Sequence, residues 1–212
     1  MPCWRACAGR WVSRSLSADR MPNSGRFARR RSAMALAAAA SLAGCATTSV
    51  SIVPSPQAPV CQPNQSALVL WAPHWRADQK DVPDRERAAE AGTARFLATG
   101  HCFASADLKR TATLSQDEIR AHLAAAGKSY DKLIAVRVRE LGPVVKLMAS
   151  AALVEGGTEV GLEITEYRIA TTEPTRFFTV HWTHGGPGVV KGIASLPEDM
   201  AMALAAGLQA PR

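Results

Sequence analysis

Short apolar runs alternate with amphipathic segments along the carboxyl-terminal three quarters of the chain. Ala67–Ala72 is a continuous apolar run, which predicts a buried central strand. From Asp84 to Thr99 the apolar positions lie close to one helical face and Gly100 follows them, so we expect a helix there. Cys102–Leu108 predicts a second, short strand.

Two capping-box patterns predict the starts of further helices. Ser115-Gln116-Asp117-Glu118 precedes an amphipathic segment that ends at Gly127. Ser195-Leu196-Pro197-Glu198 precedes a last helix, whose apolar stripe repeats every four residues. The residues of that stripe are Met200, Leu204 and Leu208. We expect the stripe to dock this helix onto the sheet.

Four β segments are predicted between the last two helices. They are Lys132–Leu141, Val144–Val154, Glu159–Ala170 and Arg176–Trp182. Gly142-Pro143 is predicted to turn the chain between the first two, and Gly156-Gly157 is a hairpin signal before the third. The order β-α-β-α-β-β-β-β-α predicts an α/β (α+β) fold: a single mixed β-sheet with helices packed on one face.

The charge of the chain is concentrated at its amino terminus. Of the 25 Lys and Arg residues, eight lie in residues 1–44 with a single acid, Asp19, so residues 45–212 hold 17 bases and 17 acids. Binding to nucleic acid needs a basic surface on the folded domain, so the net charge of +7 does not predict a nucleic-acid partner. With 47% apolar residues, the composition suits one globular domain and excludes collagen-like and wholly disordered chains.

Residues 26–45 have the pattern of a secretory signal. A cluster of Arg residues precedes the apolar run Ala33–Gly44, which is much shorter than the ~20 residues that span a membrane. Leu42-Ala43-Gly44-Cys45 resembles the lipobox of bacterial lipoprotein precursors. The resemblance implies cleavage before Cys45 and acylation of its thiol, palmitate included. Residues 1–20 do not suit a signal, and we expect the true start at Met21.

The chain is therefore predicted to have three parts. Residues 1–44 are the signal segment, residues 45–66 are the lipidated Cys and a tether rich in Pro and Ser, and residues 67–212 are one α/β domain. Ala46, rather than Asp, follows the lipidated Cys, and by resemblance to lipoproteins of two-membrane bacteria this predicts the outer membrane. The domain is then expected in the periplasm.

Two cysteines remain after processing, since Cys3 and Cys7 lie in the signal segment. Cys61 and Cys102 form an even pair in a compartment that permits disulfides, so we expect a structural bridge between them. The alternative is two free thiols.

His181-Trp182-Thr183-His184-Gly185-Gly186 is the most unusual stretch of the sequence. We interpret it as a partner-facing or ligand-facing loop, because an aromatic residue beside flexible backbone is common at recognition surfaces. Trp182 has an alternative role as a cap of the core. The alternative function is a metal-binding factor that uses His181 and His184, with His74 or His101 as a further ligand.

Signals for catalysis and for cofactors are weak. The glycines that follow His184, together with Lys191, only distantly resemble a phosphate-binding loop. Nucleophile elbows and Cys-x-x-Cys motifs are absent from the sequence, and neither an enzyme nor a cofactor is predicted. A basic stripe on the open sheet face is a further candidate surface for an acidic partner; its residues are Arg137, Arg139, Arg168 and Arg176.

The element order and the export signal together resemble the small α/β domain of lipid-anchored envelope factors. Examples are the amino-terminal domain of TolB and the lipoprotein activators of penicillin-binding proteins. The resemblance spans residues 67–208, and no functional residue carries over from it. It implies a non-enzymatic binding or assembly module, held at the membrane by its lipid, with another envelope protein as its partner.

Overall fold

Six strands form one sheet, and three α-helices and a short 3₁₀ helix connect or cover them. The computed structural model describes residues 46–55, 57–148 and 153–209. The strands are β1 (Thr47–Val53), β2 (Gln62–Pro73), β3 (Phe103–Arg110), β4 (Lys132–Met148), β5 (Leu153–Arg168) and β6 (Glu173–Pro187). The helices are α1 (Val82–Thr99), α2 (Gln116–Ala125) and α3 (Leu196–Leu208), with the 3₁₀ turn Ile193–Ser195 before α3.

The sheet is mixed and runs in the order β1-β6-β5-β4-β2-β3. β2 lies parallel to both β3 and β4, because α1 and α2 carry the chain back between these strands. β4, β5 and β6 then form an antiparallel meander, and β1 pairs antiparallel with the outer side of β6. The predicted fold class, one mixed sheet with helices, is therefore confirmed.

The two faces of the sheet have different cores. Val69 and Trp71 of β2 point into the larger core, where α1 and α3 pack, while Leu68 and Leu70 point to the opposite face. There they meet Ile119 of α2, which is fully buried. Helices therefore lie on both faces rather than on one. The predicted central strand has no polar face, and it needs cover on both sides.

β4 and β5 are longer than the sequence predicted. Gly142-Pro143 lies inside β4 instead of forming a turn, and Gly156-Gly157 lies inside β5. β4 loses its pairing with β2 after Val138, so beyond that point it has a neighbour on one side only. A proline is tolerated there because its missing N–H would face the unpaired edge. We call the surface of β4, β5, β6 and β1 opposite α1 and α3 the open face.

The predicted tether begins with a strand. Thr47 to Val53 pair with Gly185 to Thr179 of β6, so the domain begins near Thr47 and not at residue 67. Farther along, the backbone N–H groups of Val60 and Cys61 donate to the carbonyl of Leu208, at 2.9 and 3.0 Å. The part of the predicted tether that the structure describes is therefore bound to the domain at two places.

Local details of the helix ends agree only in part with the predicted caps. The hydroxyl of Ser115 accepts from the backbone N–H of Glu118 at 3.3 Å, which confirms the first cap. The hydroxyl of Ser195 instead donates to the carbonyl of Gly192, because Ser195 has helical backbone angles and belongs to the 3₁₀ turn. The second capping box is therefore wrong. None of the helices in the described ranges is both long and apolar enough to cross a bilayer.

Candidate functional site

The stretch predicted as a binding loop is the second half of β6. His181, Trp182, His184, Gly185 and Gly186 all lie within Glu173–Pro187, paired with β5 on one side. All of them except Gly186 also pair with β1 on the other side. The loop interpretation is wrong because two neighbouring strands take up the backbone hydrogen bonds of this glycine-rich segment. The backbone of the candidate site is therefore part of the sheet.

A cavity of about 280 Å³ lies over this end of the sheet. Its polar side chains are Glu159 and Thr158 of β5, His181 and Thr183 of β6, and Thr47 of β1, and Val144 of β4 adds an apolar wall. His184 and four glycines complete the lining: Gly156, Gly157, Gly185 and Gly186. Thr47, Thr183, Glu159 and His181 alternate onto the open face, so the cavity opens there.

The glycines make the floor of the cavity flat. Gly157 stands opposite Gly185 in the ladder, and Gly156 stands opposite Gly186. A Cβ atom on Gly185 would lie 2.3 Å from the carbonyl oxygen of Gly156 and 2.6 Å from the Cα of Gly157. No side chain fits between two strands at that distance. The sequence at these positions therefore allows close backbone approach and leaves open space above it.

His181 and Glu159 form the ionisable pair of the site. The Nε2 of His181 lies 2.6 Å from the Oε1 of Glu159, and their side chains are 54% and 34% exposed. The pair is an ion pair when the imidazole is protonated and a neutral-donor hydrogen bond when it is not. Its polar atoms can bind a polar ligand group from solvent.

His184 lies on the other side of the strand. Its Nδ1 is 2.7 Å from the Oγ1 of Thr48, and its ring stacks on Trp182 with centroids 5.7 Å apart. Residues three apart in a strand point to opposite faces, so the rings of His181 and His184 do not converge on one metal ion. Within the described ranges, no three His, Cys, Asp or Glu side chains come together as metal ligands, and this includes His74 and His101.

Trp182 belongs to the core. It is 2% exposed and packs with the apolar residues under α1 and α3. The alternative interpretation of Trp182 as a cap of the core is therefore confirmed. The interpretation of Trp182 as an exposed aromatic residue for recognition is wrong. Its alternation with His181 decides the outcome, since Phe178, Val180 and Trp182 all face the helices.

Lys191 has a structural role rather than a phosphate-binding one. Its Nζ lies 2.7 Å from the Oδ1 of Asp199 in α3, and Asp199 also accepts from the buried hydroxyl of Thr158. This buried group lies behind the cavity floor, since Thr158 also contributes to the lining. Asp199 was not predicted as part of the site, although an acid in the first turn of an apolar helix is a usable signal.

The predicted basic stripe is not a basic surface. Arg137 and Arg139 both reach Glu163, and Arg168 reaches Glu173. Arg176 pairs with Glu166 on the face where α1 and α3 pack. The four arginines are thus divided between faces and each has a carboxylate partner. Cross-strand register produced this pairing, and it cannot be predicted from one strand at a time.

Cys61 and Cys102 form a disulfide, with Cα atoms 4.5 Å apart. The predicted bridge is confirmed, and it holds the start of β2 beside the start of β3. Cys45, the predicted lipidation site, lies outside the described residues. Thr47 and Glu159 also line the cavity and were not predicted as site residues; the position of Thr47 depends on a strand that was predicted to be part of the tether.

Comparisons with known proteins identify no family. No family model and no curated protein matches the sequence. A PelC dodecamer structure from Paraburkholderia phytofirmans is 15% identical, covers 78% of this chain and 100% of that chain, with a TM-score of 0.48. Protein XCC0632 from Xanthomonas campestris, of the family model DUF330, is 13% identical, covers 74% and 86%, and has a TM-score of 0.37. At these values the likeness does not identify a function for this chain.

Proposed function

We propose that this protein is a lipid-anchored envelope protein of the periplasmic side that acts by binding and not by catalysis. Its binding site is the cavity at His181 and Glu159, which carries the proposal because it is polar, preformed and open to solvent. The anchor is Cys45, supported by the Arg cluster, the short apolar run and Leu42-Ala43-Gly44-Cys45. The outer membrane is the proposed location, since Ala46 follows that cysteine.

The surroundings of the cavity suit a hydrogen-bonded partner group. Thr47, Thr183 and the His181–Glu159 pair offer hydroxyl, imidazole and carboxylate atoms around the glycine floor. A flat backbone floor accepts an extended or planar group without steric conflict. The partner is proposed to be another envelope protein that inserts a polar segment there.

The binding role can be tested by photo-cross-linking in cells. A photoreactive phenylalanine replaces Thr183, which lines the cavity, or Thr179, which lies on the same face of the same strand but outside the lining. We expect a defined cross-linked product from position 183 only, and its loss when His181→Ala is added. Equal products from both positions, or a product whose yield is unchanged by His181→Ala, would contradict the proposed binding site.

The anchor is tested separately by mass spectrometry of the amino-terminal peptide from the membrane fraction. We expect an acylated Cys45 as the first residue. An unmodified Cys45 in that fraction would contradict the proposed anchor. It would not affect the conclusion about the binding site from cross-linking.

A further inference from the structure

The described chain begins at one particular end of the sheet. Thr47, Gly185, Gly157 and Val144 stand side by side in the ladder across β1, β6, β5 and β4. We call the strand ends beyond this row, on the side away from His181, the Thr47 end. The other end of β1, at Val53, lies about 20 Å away at ~3.3 Å per residue. The two ends of β1 therefore differ strongly in their distance from Cys45.

Cys45 is only two residues from the Thr47 end in the sequence. It precedes Thr47 by two residues, which span at most about 7 Å of backbone. A free tether at residues 45–66 would let the domain lie far from its anchor, but Thr47–Val53, at the start of that segment, is paired with β6. With the anchor of the proposed function, the acyl chains are therefore attached beside the Thr47 end.

The Thr47 end exposes apolar side chains. Val145 in β4 is 65% exposed and Val190, just beyond β6, is 90% exposed. Val190 belongs to this end because the carbonyl oxygen of its neighbour Val189 would lie 2.2 Å from a Cβ on Gly156.

The strand ends that meet here contain few charged residues. Residues 46–53 and 183–190 hold no Lys, Arg, Asp or Glu, and the described residues 143–148 and 153–158 hold only Lys146 and Glu155. These two stand opposite one another in the ladder. Contact with lipid costs little free energy where charge is sparse and apolar surface is exposed.

We propose that the Thr47 end is a membrane-contact surface, at which Val145 and Val190 lie against the lipid bilayer. The inference rests on the proposed anchor at Cys45 and adds an orientation to it. The domain then stands on the membrane with its strands directed toward it, and the cavity at His181 opens beside the lipid surface. The acyl chains and the apolar side chains contribute to membrane binding together, as two signals do in stable anchoring.

The test places a fluorescent reporter at matched valines. Val145→Cys, Val190→Cys and Val53→Cys are made in the full chain, purified from membranes and labelled with an environment-sensitive dye. Val53 is a matched control because it is 59% exposed and lies at the far end of β1. The proteins are reconstituted into vesicles of phosphatidylethanolamine and phosphatidylglycerol, with or without brominated acyl chains.

We expect a blue shift and quenching by the brominated lipid at positions 145 and 190, and neither at position 53. A blue shift without quenching would mean that protein, such as a second copy, covers this end, and it would overturn the proposal. Equal signals at all three positions would also overturn it. Mass spectrometry of the same samples separates the two proposals: a Cys45 without acyl chains refutes both, whereas an acylated Cys45 with unquenched dye refutes only the membrane-contact surface.

Discussion

Asp199 of α3 accepts a hydrogen bond of 2.7 Å from the hydroxyl of Thr158 in β5, and the two residues are 3% and 1% exposed. The other oxygen of Asp199 lies 2.7 Å from the Nζ of Lys191. Each carboxylate oxygen thus has one partner. The group joins the last helix and the segment after β6 to the strand that forms the floor of the cavity.

Removing the carboxylate should loosen this junction. We expect Asp199→Ala to lower the free energy of unfolding by about 3 kcal/mol, because it leaves the buried hydroxyl of Thr158 and the half-buried ammonium of Lys191 without their partner. Thr158→Val should cost about 1 kcal/mol, since it removes one neutral donor. Urea unfolding measures both.

The control for that experiment is Glu198→Ala, which removes the neighbouring acid in the same helical turn. Glu198 is exposed, so its loss should change the unfolding free energy by less than about 0.5 kcal/mol. Similar losses for Asp199→Ala and Glu198→Ala would mean that charge near the helix start matters and the buried contacts do not.

The glycine floor gives a second prediction. A Cβ at position 185 would come within 2.3 Å of the carbonyl oxygen of Gly156, so Gly185→Ala should force β5 and β6 apart. We expect a loss of roughly 1–3 kcal/mol, as in an overpacked core. The cavity cross-link from Thr183 should weaken as well, and thermal unfolding together with that cross-link measures the effect.

Gly192→Ala is the matched control, because a Cβ at Gly192 would meet nothing within 4 Å. Its stability should stay at or slightly above that of the parent, since alanine restricts the unfolded chain. If both alanine variants unfold like the parent, the close approach of the two strands is not required.

These two sites show what the sequence could and could not predict. The run Ala67–Ala72 and the stripe of the last helix depend on local periodicity, and both are found where it placed them. Gly156-Gly157 has the composition of a tight turn, but its structural role depends on a second glycine pair about thirty residues away. A pairing between distant strands leaves no local signal.

The first strand was missed for a related reason. In Thr47–Val53 the alternation of polar and apolar residues is confined to Ser49-Val50-Ser51-Ile52, which is the shortest run that indicates a strand, and nearly every side chain is exposed. The prolines and serines after it then suggested a tether. An edge strand with both faces largely in solvent is specified mainly by the neighbour that it pairs with.

The last helix provides a third prediction. Leu204 is 0% exposed and lies in the larger core, so Leu204→Ala should destabilise the domain by about 2–5 kcal/mol. Met202 on the same helix is 54% exposed, and Met202→Ala should change stability by less than about 0.5 kcal/mol. Equal thermal midpoints for the two variants would place the helix away from the sheet.

The disulfide provides a fourth prediction. Cys61 and Cys102 are 41 residues apart, and opening a loop of that size should cost about 3–4 kcal/mol in the chain-entropy model. The double variant Cys61→Ala and Cys102→Ala should therefore unfold at lower urea concentration than the oxidised parent. The parent in a thiol reductant is the control and should match it. A parent whose two thiols are both free in periplasmic extracts would contradict the bridge.

A hydrogen bond between Tyr130 and Asp107 makes stability depend on pH in a predictable direction. The hydroxyl of Tyr130 donates to the Oδ2 of Asp107 at 2.5 Å. That bond, with help from Lys128, lowers the pKa of Asp107, while burial and the same bond raise the pKa of Tyr130 to about 12. Because the folded state favours the ionised carboxyl, this contribution is present at neutral pH and is lost as pH falls below about 4.

Tyr130→Phe should therefore destabilise the domain most at neutral pH, and the difference from the parent should shrink as the pH falls from about 4 toward 2. On the alkaline side, the raised pKa of Tyr130 stabilises the parent below about pH 10, and this contribution disappears between about pH 10 and 12. Urea unfolding of both proteins across the pH range measures these slopes, with Tyr167→Phe on β5 as the control. A difference between parent and Tyr130→Phe that stays constant from pH 7 to pH 2 would show that the variant loses packing alone, since only a linked carboxyl makes the difference depend on protons.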